Sequence, residues 1–446
     1  NGGYDHQTIG TGPYPADSPL AALKEATGFD PVYYCSQAIF TAYCQRSDDG
    51  GLSFGPGVPV YADSGVNPVD NQVLGQTGKG KCSSLHGHLR VAPDGTVYLP
   101  TALCTDSQGG AVSTDAGINW KEFYVPGMAD TGGGSSDPSI AIDAANNLYF
   151  CSVDTDGRPK ASFSSNRGQT WSTPVDLGTA LGLTQAAFPN AIAGSAGRAS
   201  CGFLGAKSTQ TNWQSLDYDG VWYVYVATTY DSGASWTLVN AAPFDPAQGK
   251  GGICLSGQGC NSSPNNRNLL DFNEITLDDQ GYVMYGYNAG CVSELCDQGK
   301  DVSDFVATMR IARQTGGKSL LASVPNSEPT APAASCLAAT RDASGSHLSW
   351  KKPDHGGAAI TGYQIYSVTA SNQEILVGSV GPSVSSFNDL IAQRPGAEIA
   401  AYVVKALNAQ GPGVISNKVL GPGETIVPAD ITPTAFTFAA LPGVAK

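Results

Sequence analysis

Four short segments of this chain share one pattern, and no other feature limits its fold as strongly. SDDGGLSF (Ser47 to Phe54), STDAGINW (Ser113 to Trp120), SSNRGQTW (Ser164 to Trp171) and TYDSGASW (Thr229 to Trp236) all read Ser/Thr-x-Asp/Asn-x-Gly-x-x-aromatic. Each has the chemistry of a tight hairpin turn: the Asp or Asn oxygen accepts from backbone N–H groups two residues on, Gly supplies a positive φ, and the hydroxyl ties the entry. The aromatic is expected to fold back into an apolar layer. Recurrence of such a unit marks a fold built from repeated supersecondary elements.

A second repeat lies between these turns. HLRVAPDGTVYL from His88, DPSIAIDAANNLYF from Asp137, PNAIAGSAGRASCGF from Pro189 and FNEITLDDQGYVMYG from Phe272 each give a short apolar strand, a polar turn and another apolar strand. Third strands are expected in AVS before Ser113, KASF before Ser164, VWYVYVATT before Asp231 and FVATMRIARQ from Phe305. Composition agrees with an all-β chain: only 14 % of the residues are charged, while Gly numbers 55 and Pro 28, which favours short strands joined by turns over long charged helices.

The four turn segments resemble the Asp boxes of the sialidase-like, or BNR, β-propellers, where each box joins the third and fourth strands of a blade. The resemblance implies an Asp-box β-propeller over residues 1–324. Five blade units are visible, opening near Asp5, His88, Asp137, Pro189 and Phe272, the last with only a degenerate box around Arg313 to Gly316. Because this family normally has six blades, six or more are expected. The chain begins at Asn1 with neither Met nor a charged-then-apolar leader, so a processed or truncated product with further chain upstream is also expected.

After about Val324 the pattern changes. VPNSEPTAPAAS contains a Pro/Ala/Ser linker, placed at 325–335. The next segment, 336–422, resembles a fibronectin type III domain, an immunoglobulin-like β-sandwich. Trp350, Pro353, Gly362, Tyr363 and Tyr366 stand at that family's places, as do Tyr402, Val404, Ala406, Asn408, Gly411 and Gly413 later on. Residues 423–446 form a Pro-punctuated tail.

The formal net charge of -14 argues against nucleic acid, which requires a basic stripe. Of the 38 acidic residues, 30 precede Ser327, so the larger region is the acidic one. No run of about 18 apolar residues is present, so no membrane span is expected. Ten of the eleven cysteines fall into neighbours along the chain: Cys35 with Cys44, Cys82 with Cys104, Cys151 with Cys201, Cys254 with Cys260, and Cys291 with Cys296. Five local disulfides in an oxidising, extracellular or bacterial-type cell-surface setting are the preferred reading, with Cys336 left as a buried free thiol.

In a propeller the leading ends of the first strands converge on the mouth of the central channel, where ligands bind. Aligning the repeats collects His6, His86, His88, Arg90, Asp137, Asn190, Arg267, Asp271 and Glu274 there as ligand-binding candidates. The spacing of His86 and His88 puts both on one face of a strand, about 6 to 7 Å apart. That suits a transition metal, with His6, Asp137 or Asp271 as a third ligand. Each candidate also has a plainer role: Asp137 as a turn former before Pro138, Arg267 as a partner of Asp271, and Glu274 as a partner of Arg90. Asp49, Asp115, Asn166 and Asp231 in the boxes are read as structural. The SDDGG loop suits weak calcium binding at most, since it lacks a full calcium-loop pattern.

Three functions stay open on these residues. The favoured one is a secreted or surface protein that binds a glycan or an extracellular protein at the channel mouth, with the fibronectin-like domain and tail serving attachment or self-assembly. The second is a sialidase-like glycoside hydrolase, but the Arg-Ile-Pro motif of that family is absent and only a substitute set of Arg90, Arg267 and Arg310 is available. The third is a metalloenzyme at the His6, His86 and His88 cluster.

Overall fold

The computed structural model describes residues 5–38, 41–61, 82, 86–104, 106–129, 131, 137–243, 245–256, 260, 266–270, 273–314, 317–324, 332, 335–353, 359–369, 373–390, 399 and 401–420. They are almost wholly β, in several small antiparallel sheets. The only α-helices among them are the short turns Leu23–Thr27 and Glu294–Asp297, and no helix is long and apolar enough to cross a membrane. Two compact units are formed. The larger comprises Asn1–Ala242, Pro246–Ala312 and Leu320–Ala322; the smaller comprises Pro243–Asp245, Arg313–Ser319 and Ser323–Lys446.

The larger unit contains five consecutive meander sheets, in which each strand pairs with the next along the chain. The first holds β1 (Asp5–Thr11), β2 (Val32–Ala38), β3 (Thr41–Ser47) and β4 (Val58–Pro59). The second holds β5 (Arg90–Val91), β6 (Val97–Cys104), β7 (Ser107–Ser113) and β8 (Lys121–Val125). The third holds β9 (Ser139–Ile142), β10 (Leu148–Val153), β11 (Pro159–Ser164) and β12 (Val175–Asp176). The fourth holds β13 (Gln185–Ala193), β14 (Ala199–Ala206), β15 (Trp222–Thr229) and β16 (Thr237–Asn240). The fifth has three strands, β17 (Glu274–Leu277), β18 (Val283–Ala289) and β19 (Thr308–Arg313). A sixth sheet is not formed among the described residues of this unit.

Neighbouring sheets stack through apolar faces. Tyr33, Cys35 and Ala42 of the first pack with Leu99 and Ala111 of the second. Tyr98 and Phe123 of the second meet Ile140 and Phe150 of the third, and Tyr149 and Ala161 of the third meet Phe203 and Tyr225 of the fourth. Each large side chain buried in these layers contributes about 1.5 to 3 kcal/mol. Strands β10 and β14 are almost entirely buried, because their sheets have neighbours on both faces. Strand β19 differs, with Met309 and Ile311 exposed.

All four repeat segments lie between a third and a fourth strand, and they share one hydrogen-bond pattern. The hydroxyls of Ser47, Ser113, Ser164 and Thr229 bond the oxygens of Asp49, Asp115, Asn166 and Asp231 at 2.7 to 3.0 Å. The same hydroxyls accept from the N–H groups of Gly51, Gly117, Gly168 and Gly233. The expected reach of the Asp or Asn oxygen is corrected: it accepts at 2.9 Å from the N–H four residues on, at Ser53, Asn119, Thr170 and Ser235. The reason is that two successive residues are left-handed, Gly50 with Gly51, Ala116 with Gly117, Arg167 with Gly168 and Ser232 with Gly233, so the chain curls back farther than one positive φ allows. The closing aromatic also varies. Trp171 and Trp236 donate to the carbonyls of Gly168 and Gly233, whereas Phe54 is exposed and lies edge-on to Tyr34.

All five expected disulfides are present, and Cys151–Cys201 ties the third sheet to the fourth. The side chain of Cys336 lies outside the described residues, as do residues 421–446.

The smaller unit has two antiparallel sheets. One pairs β20 (Cys336–Asp342), β21 (Gly345–Lys351) and, farther along the chain, β24 (Ser386–Leu390). The other joins β22 (Gly362–Val368), β23 (Glu374–Val380), β25 (Ala401–Asn408), β26 (Gly411–Pro412) and β27 (Val419–Leu420). They share one core, in which Leu337, Leu348 and Trp350 of the first meet Tyr363, Ile365, Tyr402 and Val404 of the second.

Candidate functional site

The leading ends of the first strands carry the candidate residues, and their links join sheets that are not neighbours along the chain. His6 on β1 places Nδ1 2.7 Å from Oδ2 of Asp137, which precedes β9 of the third sheet. Glu274 on β17 of the fifth sheet meets the second: its Oε2 lies 3.2 Å from His88 Nδ1, and its Oε1 accepts from Arg90 Nη2 at 3.2 Å. Asn190 on β13 donates to the carbonyl of Asn273, just before β17, at 3.1 Å. Four of the five sheets thus supply a side chain to the two pairings, and the fourth sheet reaches the approach to β17 through Asn190.

Local backbone places these groups. Strands β1 and β13 both carry an irregularity at their leading part, and there His6 and Phe188 adopt positive φ values of 50° and 53°. Such conformations are uncommon away from glycine and cluster at functional sites. The segment before β5 runs antiparallel to the end of β6: His86 bridges Thr101, and Gly87 N–H donates to Pro100 O. Gly87 is required by close approach, since a Cβ there would sit 1.9 Å from the carbonyl oxygen of Pro138. The His86-Gly87-His88 prefix is thereby pressed against Asp137-Pro138.

That contact overturns the expectation that His86 and His88 share a face. Residues 87–89 are not a strand, so the period of two does not apply, and the two imidazoles part. His88 is largely exposed beside Glu274, whereas His86 is 1 % exposed and stands edge-on to His6 with ring centroids 6.3 Å apart. Among the described residues, His6, His86 and His88 included, no three of His, Cys, Asp or Glu are grouped to hold a metal ion. Asp271, expected as another ligand, lies outside the described residues.

His86 has one satisfied and one unsatisfied nitrogen. Its Nδ1 is 2.9 Å from the carbonyl oxygen of Gly87; since a carbonyl only accepts, Nδ1 carries the proton and Nε2 presents a lone pair. Nε2 is buried and has no hydrogen-bond partner. Burial lowers the imidazole's pKa to about 4, outweighing the Gly87 bond and the charge of Asp137, so at neutral pH the ring is uncharged. At Glu274, partial burial pushes the carboxyl up, but the His88 bond and the Arg90 charge prevail and hold it below its ordinary value.

The remaining candidates divide. Arg90 has the plainer role expected, as partner of Glu274. Asp137 faces His6. Arg267 is half-buried in the turn before β17. Arg310 bonds Asp297 and the carbonyls of Cys291 and Pro246, which engages it away from Arg90. Asp49, Asp115, Asn166 and Asp231 are held in the repeat turns, and Asp48 beside Asp49 is engaged by Arg46 and Tyr14.

Sequence reasoning missed two residues. Asn273 is buried with its Nδ2 unpartnered, although it adjoins Glu274 in the repeat and a closer reading of that repeat would have included it. Tyr61 is buried with Thr101 and the charge of Asp137 nearby, and burial drives its phenol far above the ordinary value. It lies in a segment with no repeat signal.

No protein-family model and no curated protein matches this chain. Among solved structures it is similar to a mutant of the NanB sialidase from Streptococcus pneumoniae, at 12 % identity and a TM-score of 0.31, over 63 % of this chain and 35 % of that one. It is similar to the intramolecular trans-sialidase of Ruminococcus gnavus, at 15 % identity and a TM-score of 0.33, over 63 % of this chain and 50 % of that one. A third similarity is to the α-L-arabinanase of Penicillium chrysogenum, at 10 % identity and a TM-score of 0.34, over 85 % of this chain and 94 % of that one. The matches to the first two therefore span half of those chains or less.

Proposed function

We propose that the chain is a secreted or cell-surface protein that binds a glycan or an extracellular protein where its first strands converge, without sialidase chemistry. In this reading the five meander sheets are blades of a sialidase-like β-propeller over 1–324. Residues 325–335 are a linker, 336–422 a fibronectin type III domain, and 423–446 a tail serving attachment or self-assembly.

One observation carries the reading. His6 of the first sheet meets Asp137 of the third, and Glu274 of the fifth meets His88 and Arg90 of the second. Sheets in a simple linear stack touch only their neighbours; links that skip sheets are what a radial arrangement about one axis requires. Such convergence gathers polar groups from distant parts of the chain at one mouth.

Further features agree. Five disulfides suit an oxidising compartment. The two sheets around Trp350 and Tyr363 suit a fibronectin-like sandwich. Against hydrolysis of sialosides stands the engagement of two of the three substitute arginines, Arg90 by Glu274 and Arg310 by Asp297 and two carbonyls. The test is a glycan array followed by incubation of each hit with the protein and chromatographic analysis of the products. Saturable binding with intact glycans is expected; turnover of a bound sialoside would overturn the reading in favour of a hydrolase.

A further inference from the structure

The charges at the convergence are paired with one another. Arg90 and His88 both face Glu274, and His6 faces Asp137. A carboxylate arriving there would meet two carboxylates whose partners, Arg90, His88 and His6, are already engaged, and it would have to break those pairs to be held. Among the groups left unmatched is one of another kind: Nε2 of His86, a neutral acceptor with a fixed tautomer, in a side chain 1 % exposed. A buried acceptor without a donor is costly. The neighbouring His6 ring, edge-on to His86 with centroids 6.3 Å apart, is 19 % exposed.

We infer that the ligand of this mouth is an uncharged molecule rich in hydroxyl groups, a neutral glycan, and that one of its hydroxyls donates to Nε2 of His86. An O–H group supplies the missing donor without adding charge to a buried position; an ammonium donor would carry its charge into the same low-dielectric surroundings that keep the imidazole neutral. The unpartnered Nδ2 of Asn273, a buried donor on the approach to β17, is suited to a sugar oxygen in the same way. The inference rests on the reading of the convergence as a ligand site, and it specifies the class of ligand.

The experiment is a matched panel of neutral oligosaccharides and their sialylated or uronic-acid counterparts, titrated into the full chain. Neutral members are expected to bind, with affinity little changed by salt, and His86→Phe is expected to weaken them roughly three- to tenfold, as loss of one hydrogen bond would. Since His86→Phe removes a core side chain and can unfold the protein, a second measurement keeps the native residue: in 15N-histidine-labelled wild type, the His86 Nε2 resonance should move upfield on saturation with the neutral ligand. Binding of acidic glycans alone overturns the inference and leaves the binding function standing. Binding of no glycan overturns the inference and the glycan part of the function together. Saturable binding of a neutral glycan with an unmoved Nε2 resonance overturns the role of His86.

Discussion

The turns between third and fourth strands and the leading ends of the first strands belong to the same sheets, yet they use polar residues in opposite ways. At the turns, four different sequences reach one geometry, and each Asp or Asn oxygen is bonded within its own eight residues. At the leading ends every sheet presents different residues, and their bonds run to other sheets, as from His6 to Asp137 and from Glu274 to Arg90. One of them, His86, keeps an unmatched nitrogen. Local bonding of the Asp or Asn oxygen builds a scaffold that many sequences can share, even where a closing aromatic such as Trp120 leaves its buried N–H unpartnered. The long-range links instead leave groups such as His86 Nε2 that a ligand can complete.

The contrast can be broken first at Gly87. Substitution by alanine would drive a Cβ to 1.9 Å from the Pro138 carbonyl oxygen, and the Pro138 backbone on one side and the Pro100 ring on the other leave little room to yield. We expect Gly87→Ala to cost about 3 kcal/mol of stability, the upper range for overpacking, and to weaken ligand binding because it displaces Asp137. Denaturant unfolding checks the first part; an unchanged midpoint would mean that the two segments are not pressed together.

The pH dependence of stability sharpens the same side of the comparison. Burial lowers the folded-state pKa of His86 to about 4, below the ordinary value of 6.5. The unfolded chain therefore binds the extra proton first, and the stabilisation present above pH 6.5 is lost as pH falls toward 4, by roughly 3 kcal/mol. Unfolding midpoints measured from pH 7 to pH 4 should fall accordingly, and they should fall less in His86→Phe. An equal slope in both proteins would show that the imidazole is not the group responsible.

The turns give a smaller and purely structural effect. Asp115→Ala removes the acceptor for the backbone N–H and side chain of Asn119 and for Ser113, so about 2 kcal/mol of stability should be lost. The four turns should respond alike at the matched positions, a uniformity not expected among the leading-end residues.

The same contrast decides what was legible from sequence. The repeat turns were visible because each is self-contained within eight residues and occurs four times. The hairpins after His88, Asp137, Pro189 and Phe272 were visible for the same reason, and all four are antiparallel strand pairs. What failed within the turns was the reach of the Asp oxygen, because nothing in Ala116, Arg167 or Ser232 signals a left-handed residue. At the leading ends, alignment of the repeats named His6, His86, Asp137 and Glu274 and offered Arg90 as the partner of Glu274, but it had no means of pairing His6 with Asp137. The parting of His86 from His88 depends on Gly87 meeting Pro138, a contact between sheets that no local period encodes. Tyr61 was invisible, since its place beside Thr101 follows from neither repeat.

The central claim is that ligand is held at the leading ends and not at the turns. Calorimetric titration of the tightest neutral glycan into wild type, Asp137→Ala and Asp115→Ala tests it directly, with each variant first shown to be folded. The account predicts that Asp137→Ala, which releases His6, weakens binding roughly tenfold, while Asp115→Ala leaves the affinity within about twofold. Undiminished binding in Asp137→Ala together with loss in Asp115→Ala would contradict it.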